Sequence, residues 1–180
     1  MRSTVSPETT LRARRNGFVS NAKLEALPSP FTRILVVLKL RRPNDRYAEQ
    51  FRRAFPTNYQ VCTTILDQYQ PAVHGEKIRE QGNDCQSEVV LIVERTYKGK
   101  LLSLDAPDGD DFSQFSFEMR SMATNQSFWK GIASTPARAG EQFPARTIVS
   151  RLLRDGVIAG TMLRRTVAMA EQVGLAKSAP

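Results

Sequence analysis

Four aspartates crowd the stretch DAPDGDD, at Asp105, Asp108, Asp110 and Asp111, and oxygen-rich loops of this kind hold hard cations such as calcium. They are the chain's metal candidates. Their spacing departs from D-x-[DN]-x-[DN]-G and no glutamate closes the set, so a solvated loop that can orient a basic partner is the expectation. His74 is the single histidine. No G-x-S-x-G elbow accompanies it, and nothing in the sequence supplies a third group to orient it as a base, so a surface or capping role is expected. Cys62 and Cys85 are the two cysteines and match no CxxC or Cys/His metal spacing. They are open to two readings, one disulfide in an oxidising compartment or two small buried thiols in a reducing one. No catalytic residue and no cofactor is assigned, and the chain is expected not to be an enzyme.

Arginine supplies the other chemistry. In FTRILVVLKLRRPNDRYAEQFRRAF, residues 31 to 55, an aliphatic block runs into five arginines. A phosphate cradle needs glycines or a bare helix N-terminus after the strand. Residues 39 to 46 contain no glycine and Pro43 removes an amide donor. A nucleotide site is therefore not expected. On the helix that follows, Arg46 and Arg53 fall opposite the Tyr47/Phe51/Phe55 stripe and Arg52 on its flank, which makes these three the candidate partner-binding residues. Trp129 joins them. It neighbours Phe128 on a strand, so the two are expected on opposite faces, with one either covered by a helix or left as an aromatic anchor for a partner.

The formal charge of +8 favours anionic partners through a long-range, salt-sensitive term. Single-stranded nucleic acid would want exposed aromatics among the basic residues. Here the aromatics keep helix and strand register, and no segment matches the K/R-G-F/Y-G/A-F-V-x-F/Y pattern.

These residues must be positioned by one domain, since 180 residues hold one sizeable core and a tail. Residues 1–29, with Arg12, Arg14 and Arg15, lack periodicity and read as a flexible or docking arm. Residues 30–158 form the α/β domain, and residues 159–180 a C-terminal helix, predicted over Thr161 to Val173, and tail. Phe31 to Leu40 is a strand covered on both faces. Asn44 to Phe55 is a helix with Asn44 or Asp45 as N-cap and Pro56 as its stop. Tyr59 to Leu66 is a second strand, Pro71 to Gln81 a helix stopped by Gly82, and Glu88 to Tyr97 a third strand. This β-α-β-α-β order predicts parallel pairing. An antiparallel meander follows: a tight turn at Lys98-Gly99-Lys100, a strand over Leu101 to Leu104, alternation through Phe115, Phe117 and Met119, and a strand over Ser127 to Ala133. The expected fold is α/β, a mixed sheet of five or six strands in two or three layers with C-terminal helices. The aliphatic runs are far shorter than the roughly 20 residues that cross a bilayer, and no signal peptide or lipobox is visible.

Taken in order, LPSPFTRILVV, EKIREQGNDCQSEVVLIVERT, SFWKGIAS and RTIVSRLLRDGVI resemble small uncharacterised bacterial envelope lipoproteins. The α/β domain of that group is similar to those of curli-secretion and penicillin-binding-protein-activator lipoproteins. The likeness spans roughly residues 28 to 158 and includes a G-x-D before the central strand, a Trp-bearing strand and a helix ending in x-D-G-x-I. It implies a non-enzymatic binding or assembly module on the periplasmic side of the envelope, with a protein partner or further copies of itself. The residues alone also leave open a cytosolic nucleic-acid-associated protein using the arm and the first helix.

Overall fold

Ile34 to Leu38 is an unbroken aliphatic run because its strand is covered on both faces. The computed structural model describes residues 17–28, 30–41, 44–100, 111–136 and 142–162. Its elements are β1 (Phe18–Ala22), β2 (Arg33–Leu40), α1 (Asp45–Ala54), β3 (Gln60–Asp67), α2 (His74–Asp84), β4 (Val89–Lys100), β5 (Asp111–Ser121), β6 (Ser127–Pro136) and α3 (Ala145–Arg154). The strands form one mixed sheet in the order β1-β6-β5-β4-β2-β3. β2 pairs in parallel with both β3 and β4. From β4 outward through β5 and β6 to β1 the pairing is antiparallel. The fold is thus mixed α/β, and β4 is the strand at which parallel pairing gives way to antiparallel.

Alternate side chains of the sheet meet different layers. Ile34, Val36 and Leu38 of β2, with Val89, Leu91 and Val93 of β4, enter the main core, which α1 closes with Tyr47, Phe51 and Ala54 and α3 with Ile148, Val149 and Leu152. Leu35, Val37, Leu66 and Val90 face the other way and pack with Ile78 of α2. Full burial of a side chain such as Phe51 contributes roughly 1.5–3 kcal/mol. α1 starts where the Asn44 side chain accepts a hydrogen bond from the Tyr47 amide at 3.0 Å, and it ends one residue before Phe55-Pro56, where proline cannot continue it. The hydroxyl of Tyr47 donates to the Phe143 carbonyl at 2.6 Å, tying α1 to the lead into α3. Burial pushes the Tyr47 phenol well above its ordinary range.

Several boundaries differ from the sequence expectation for physical reasons. Within the stretch expected to be an arm, Phe18–Ala22 forms edge strand β1 on β6, and the Phe18 ring stacks on Phe117 with centroids 5.1 Å apart. Five residues carry too little period to be seen without the partner more than 100 positions away. Gly82 does not stop α2. It lies inside the helix, buried against the Met122 side chain, and the helix runs on to Asp84. This glycine packs against the end of the Met122 side chain and does not terminate the helix. Lys98-Gly99-Lys100 is not a turn, because β4 continues through it in register with Phe112 and Asp111 of β5 after a shift between Arg95 and Tyr97. The strand expected at Leu101 to Leu104 and nearly all of the expected final helix lie outside the described residues. Gly156 does close α3, at φ 73°, a left-handed position that favours glycine.

Glu88 joins the starts of β2 and β4. Its carboxylate accepts from the backbone amides of Thr32 at 2.8 Å and Arg33 at 2.9 Å, and these bonds hold its pKa below the ordinary 4.5. A depressed folded-state pKa contributes stability above the unfolded value, and that contribution is lost as pH falls through the folded value. Glu88→Gln is therefore expected to be destabilising at neutral pH and progressively less so below about pH 4.5. Urea unfolding of both proteins across that range checks it, and a difference independent of pH would contradict it.

Candidate functional site

The three arginines singled out on the first helix stand on the solvent side of α1, but not equally free. Arg46 is exposed and has no partner among the described residues. Arg52 and Arg53 share Glu49, at 2.9 Å and 3.1 Å, in the i,i+3 and i,i+4 spacing that helix geometry brings together. Arg52 also donates to the Thr63 hydroxyl of β3 at 2.6 Å. The hydrogen bonds from Arg52 and Arg53 hold the Glu49 carboxyl below its ordinary range. Exposed pairs of this type stabilise little. Beside α1 lies α3, whose Arg146 and Arg154 are exposed and whose Arg151 is half-buried. Arg146 and Arg154 extend the basic layer beyond the helix that drew attention.

Trp129 is placed otherwise than expected. Its register partner is Met119, while Ser127 pairs with Arg120, so Phe128 is the extra residue of a β-bulge. The bulge breaks strict alternation. Phe128 and Trp129 consequently both enter the main core, each 1% exposed, and Trp129 is not a surface anchor. Its indole Nε1–H donates to Asp155 Oδ2 at 2.8 Å. Ser20 of β1 donates to the same oxygen, and Arg151 approaches Oδ1 at 3.3 Å while donating to the Ser20 hydroxyl at 2.6 Å. The Arg151 guanidinium also sits 5.6 Å from the centre of the Phe18 ring. This clasp binds the end of α3 to β1 and β6. Sequence reasoning assigned no role to Asp155 or Ser20, although Asp155 is the aspartate of the x-D-G-x-I pattern. With its oxygens taken by an indole, a hydroxyl and a guanidinium, Asp155 is spent on structure.

His74 is buried rather than on the surface, with Nε2–H donating to the Asp67 carbonyl at 2.7 Å. It fastens α2 to the end of β3. Cys62, in β3, and Cys85, just past α2, are joined as a disulfide with Cα atoms 6.3 Å apart. Asp105, Asp108 and Asp110 lie outside the described residues, and Asp111 opens β5. Among the described residues no group of three or more His, Cys, Asp or Glu is placed to hold a metal ion. No described helix is long and apolar enough to cross a membrane. The structure therefore brings Arg46, Arg52 and Arg53 onto one layer, and separates from them both the disulfide and the buried Trp129.

No family model matches the chain, and no curated protein matches it. Among solved structures it is similar in fold to a PelC dodecamer from Paraburkholderia phytofirmans, at 15% identity and TM-score 0.45, covering 80% of this chain and 98% of that one. A point variant of that dodecamer gives 14% identity and TM-score 0.44, with coverages of 78% and 96%. Lipoprotein GNA1162 from Neisseria meningitidis gives 14% identity and TM-score 0.33, with coverages of 68% and 96%.

Removing the carboxylate of the clasp strands the indole N–H and Arg151 together. Asp155→Ala is expected to cost about 1–3 kcal/mol in urea unfolding. Because Trp129 is the single tryptophan, its emission reports the site directly and should shift to longer wavelength in the native variant. Unchanged stability with unchanged emission would show that the clasp contributes nothing.

Proposed function

We propose that this chain is a non-enzymatic binding or assembly module of the bacterial cell envelope, working on the periplasmic side. The observation that carries the reading is the Cys62–Cys85 disulfide. Disulfides persist in oxidising compartments and are rare where thiols are kept reduced. The bond spans 23 residues, enough to remove about 3 kcal/mol of chain entropy from the unfolded state. It ties the outermost strand of the parallel half, β3, to the end of the helix that covers it. A strand at a sheet edge gains most from such a tie, because it has a neighbour on one side only.

The binding role is supported by Arg46 of α1 and Arg154 of α3, which are exposed and without a partner among the described residues. The non-enzymatic part is supported by how the polar clusters close on themselves. His74 gives its Nε2 proton to a backbone carbonyl, and Asp155 is occupied by Trp129, Ser20 and Arg151. Neither is poised as a base toward solvent.

The thiol state of the protein taken from its native compartment tests the reading. Acid-quenched cells treated with an alkylating mass tag should yield untagged protein, and tagging should follow reduction under denaturing conditions. Two tagged cysteines in the unreduced sample would place the chain in a reducing compartment and end the envelope reading. Reduction of purified protein is expected to lower its stability by about 3 kcal/mol.

A further inference from the structure

Positive charge is distributed unevenly between the two faces of the sheet. On one side, α1 and α3 lie together and carry Arg46, Arg52, Arg53, Arg146, Arg151 and Arg154 against Asp45, Glu49 and, at the end of α3, Asp155. On the other, α2 carries Lys77 and Arg79 against Glu76, Glu80 and Asp84. Beyond α2 on that second face, Lys39 pairs with Glu94 at 2.9 Å, and Arg120 and Lys130 share Glu118 at 2.8 Å and 3.5 Å, so together with α2 these residues set five cations against five carboxylates. Cations therefore exceed their counter-charges on the α1–α3 layer. Arg46 and Arg154 there are exposed and without a partner among the described residues.

The composition of the layer points to phosphate. All six of its cations are arginines and none is lysine, and guanidinium groups match phosphate oxygens bidentately where an ammonium acts as a point charge. The apolar residues of both helices are turned into the core or packed against it, so the layer offers no wedge for insertion into a bilayer. Its aromatics, Tyr47 and Phe51, are buried as well, which removes the stacking platform that single-stranded nucleic acid would use. What remains is a rigid, cationic, non-inserting surface. In an oxidising envelope compartment, the abundant array of phosphates is the membrane itself.

We propose that the α1–α3 layer adsorbs electrostatically to membranes rich in anionic phospholipid, with Arg46 and Arg154 as its free contacts. The proposal rests on the envelope reading for its choice of partner, while the adsorption it describes is measured independently of the thiol state. Its strength should follow the lipid's charge and fall with salt, as surface potentials are screened within a Debye length.

The test is co-sedimentation of the full chain with phosphatidylcholine vesicles, with and without phosphatidylglycerol, at low and high salt. Binding is expected to the anionic vesicles alone and to be lost at high salt. Arg46→Gln with Arg154→Gln should weaken it by about fivefold per charge, roughly 25-fold together, while the native tryptophan emission stays in place. Lys77→Gln with Arg79→Gln on α2 is the matched control and should leave binding intact. Equal binding to neutral vesicles, equal loss from the α2 control, or no vesicle binding would overturn the proposal. So would tighter binding to a DNA duplex, which would turn the same layer toward nucleic acid. Loss of the envelope reading alone would appear as free thiols with vesicle binding retained.

Discussion

α3 is held to the sheet at its C-terminal end by one carboxylate. Asp155 receives the Trp129 indole, the Ser20 hydroxyl and the Arg151 guanidinium, so two strands and a helix that are distant in sequence meet at one side chain. Trp129 stands opposite the core-facing Met119, and a bulge at Phe128 brings that neighbouring aromatic to the same face. Without that register shift, strict alternation would send Phe128 out of the core. The tryptophan and the aspartate are thus one device, and the edge strand β1 is secured by the same set of contacts.

The position of α3 in turn fixes the surface that it forms with α1. Apolar stripes hold both helices against one side of the sheet, and Tyr47 links α1 to the approach to α3. With the inner faces committed to the core, arginine is what each helix presents to solvent. Glu49 answers two of those arginines and Asp155 a third, so the excess falls on a few identified positions. On the other side of the sheet, cations and carboxylates balance over α2 and the neighbouring strands, and the Cys62–Cys85 bond fastens the outermost parallel strand. One face is built for closure, the other carries unspent charge.

Much of this architecture was legible in the chain because its signals are local. The run Ile34 to Leu38, the Tyr47/Phe51 stripe, the Asn44 cap and the alternation through Phe115, Phe117 and Met119 each show within about ten residues what the structure does with them. The features that were not legible depend on partners far away in sequence. Phe18–Ala22 becomes a strand through β6. Phe128 and Trp129 share a face because of a register shift against β5, and Gly82 matters for Met122 rather than for its own helix end. The same division holds for the candidate site. Arg46, Arg52 and Arg53 could be read from one helical wheel, whereas their union with Arg146 and Arg154 required knowing that α1 and α3 lie side by side. The disulfide needed the approach of Cys62 and Cys85, which spacing does not encode.

Hydrogen–deuterium exchange of the full chain, with and without vesicles containing phosphatidylglycerol, tests most directly the proposal that the arginine layer of α1 and α3 is the working surface of the molecule. Slowed exchange over Asp45–Ala54 and Ala145–Arg154, with His74–Asp84 unchanged, is the predicted result. Protection centred on α2, or none on α1 and α3 while the chain is bound, would contradict it.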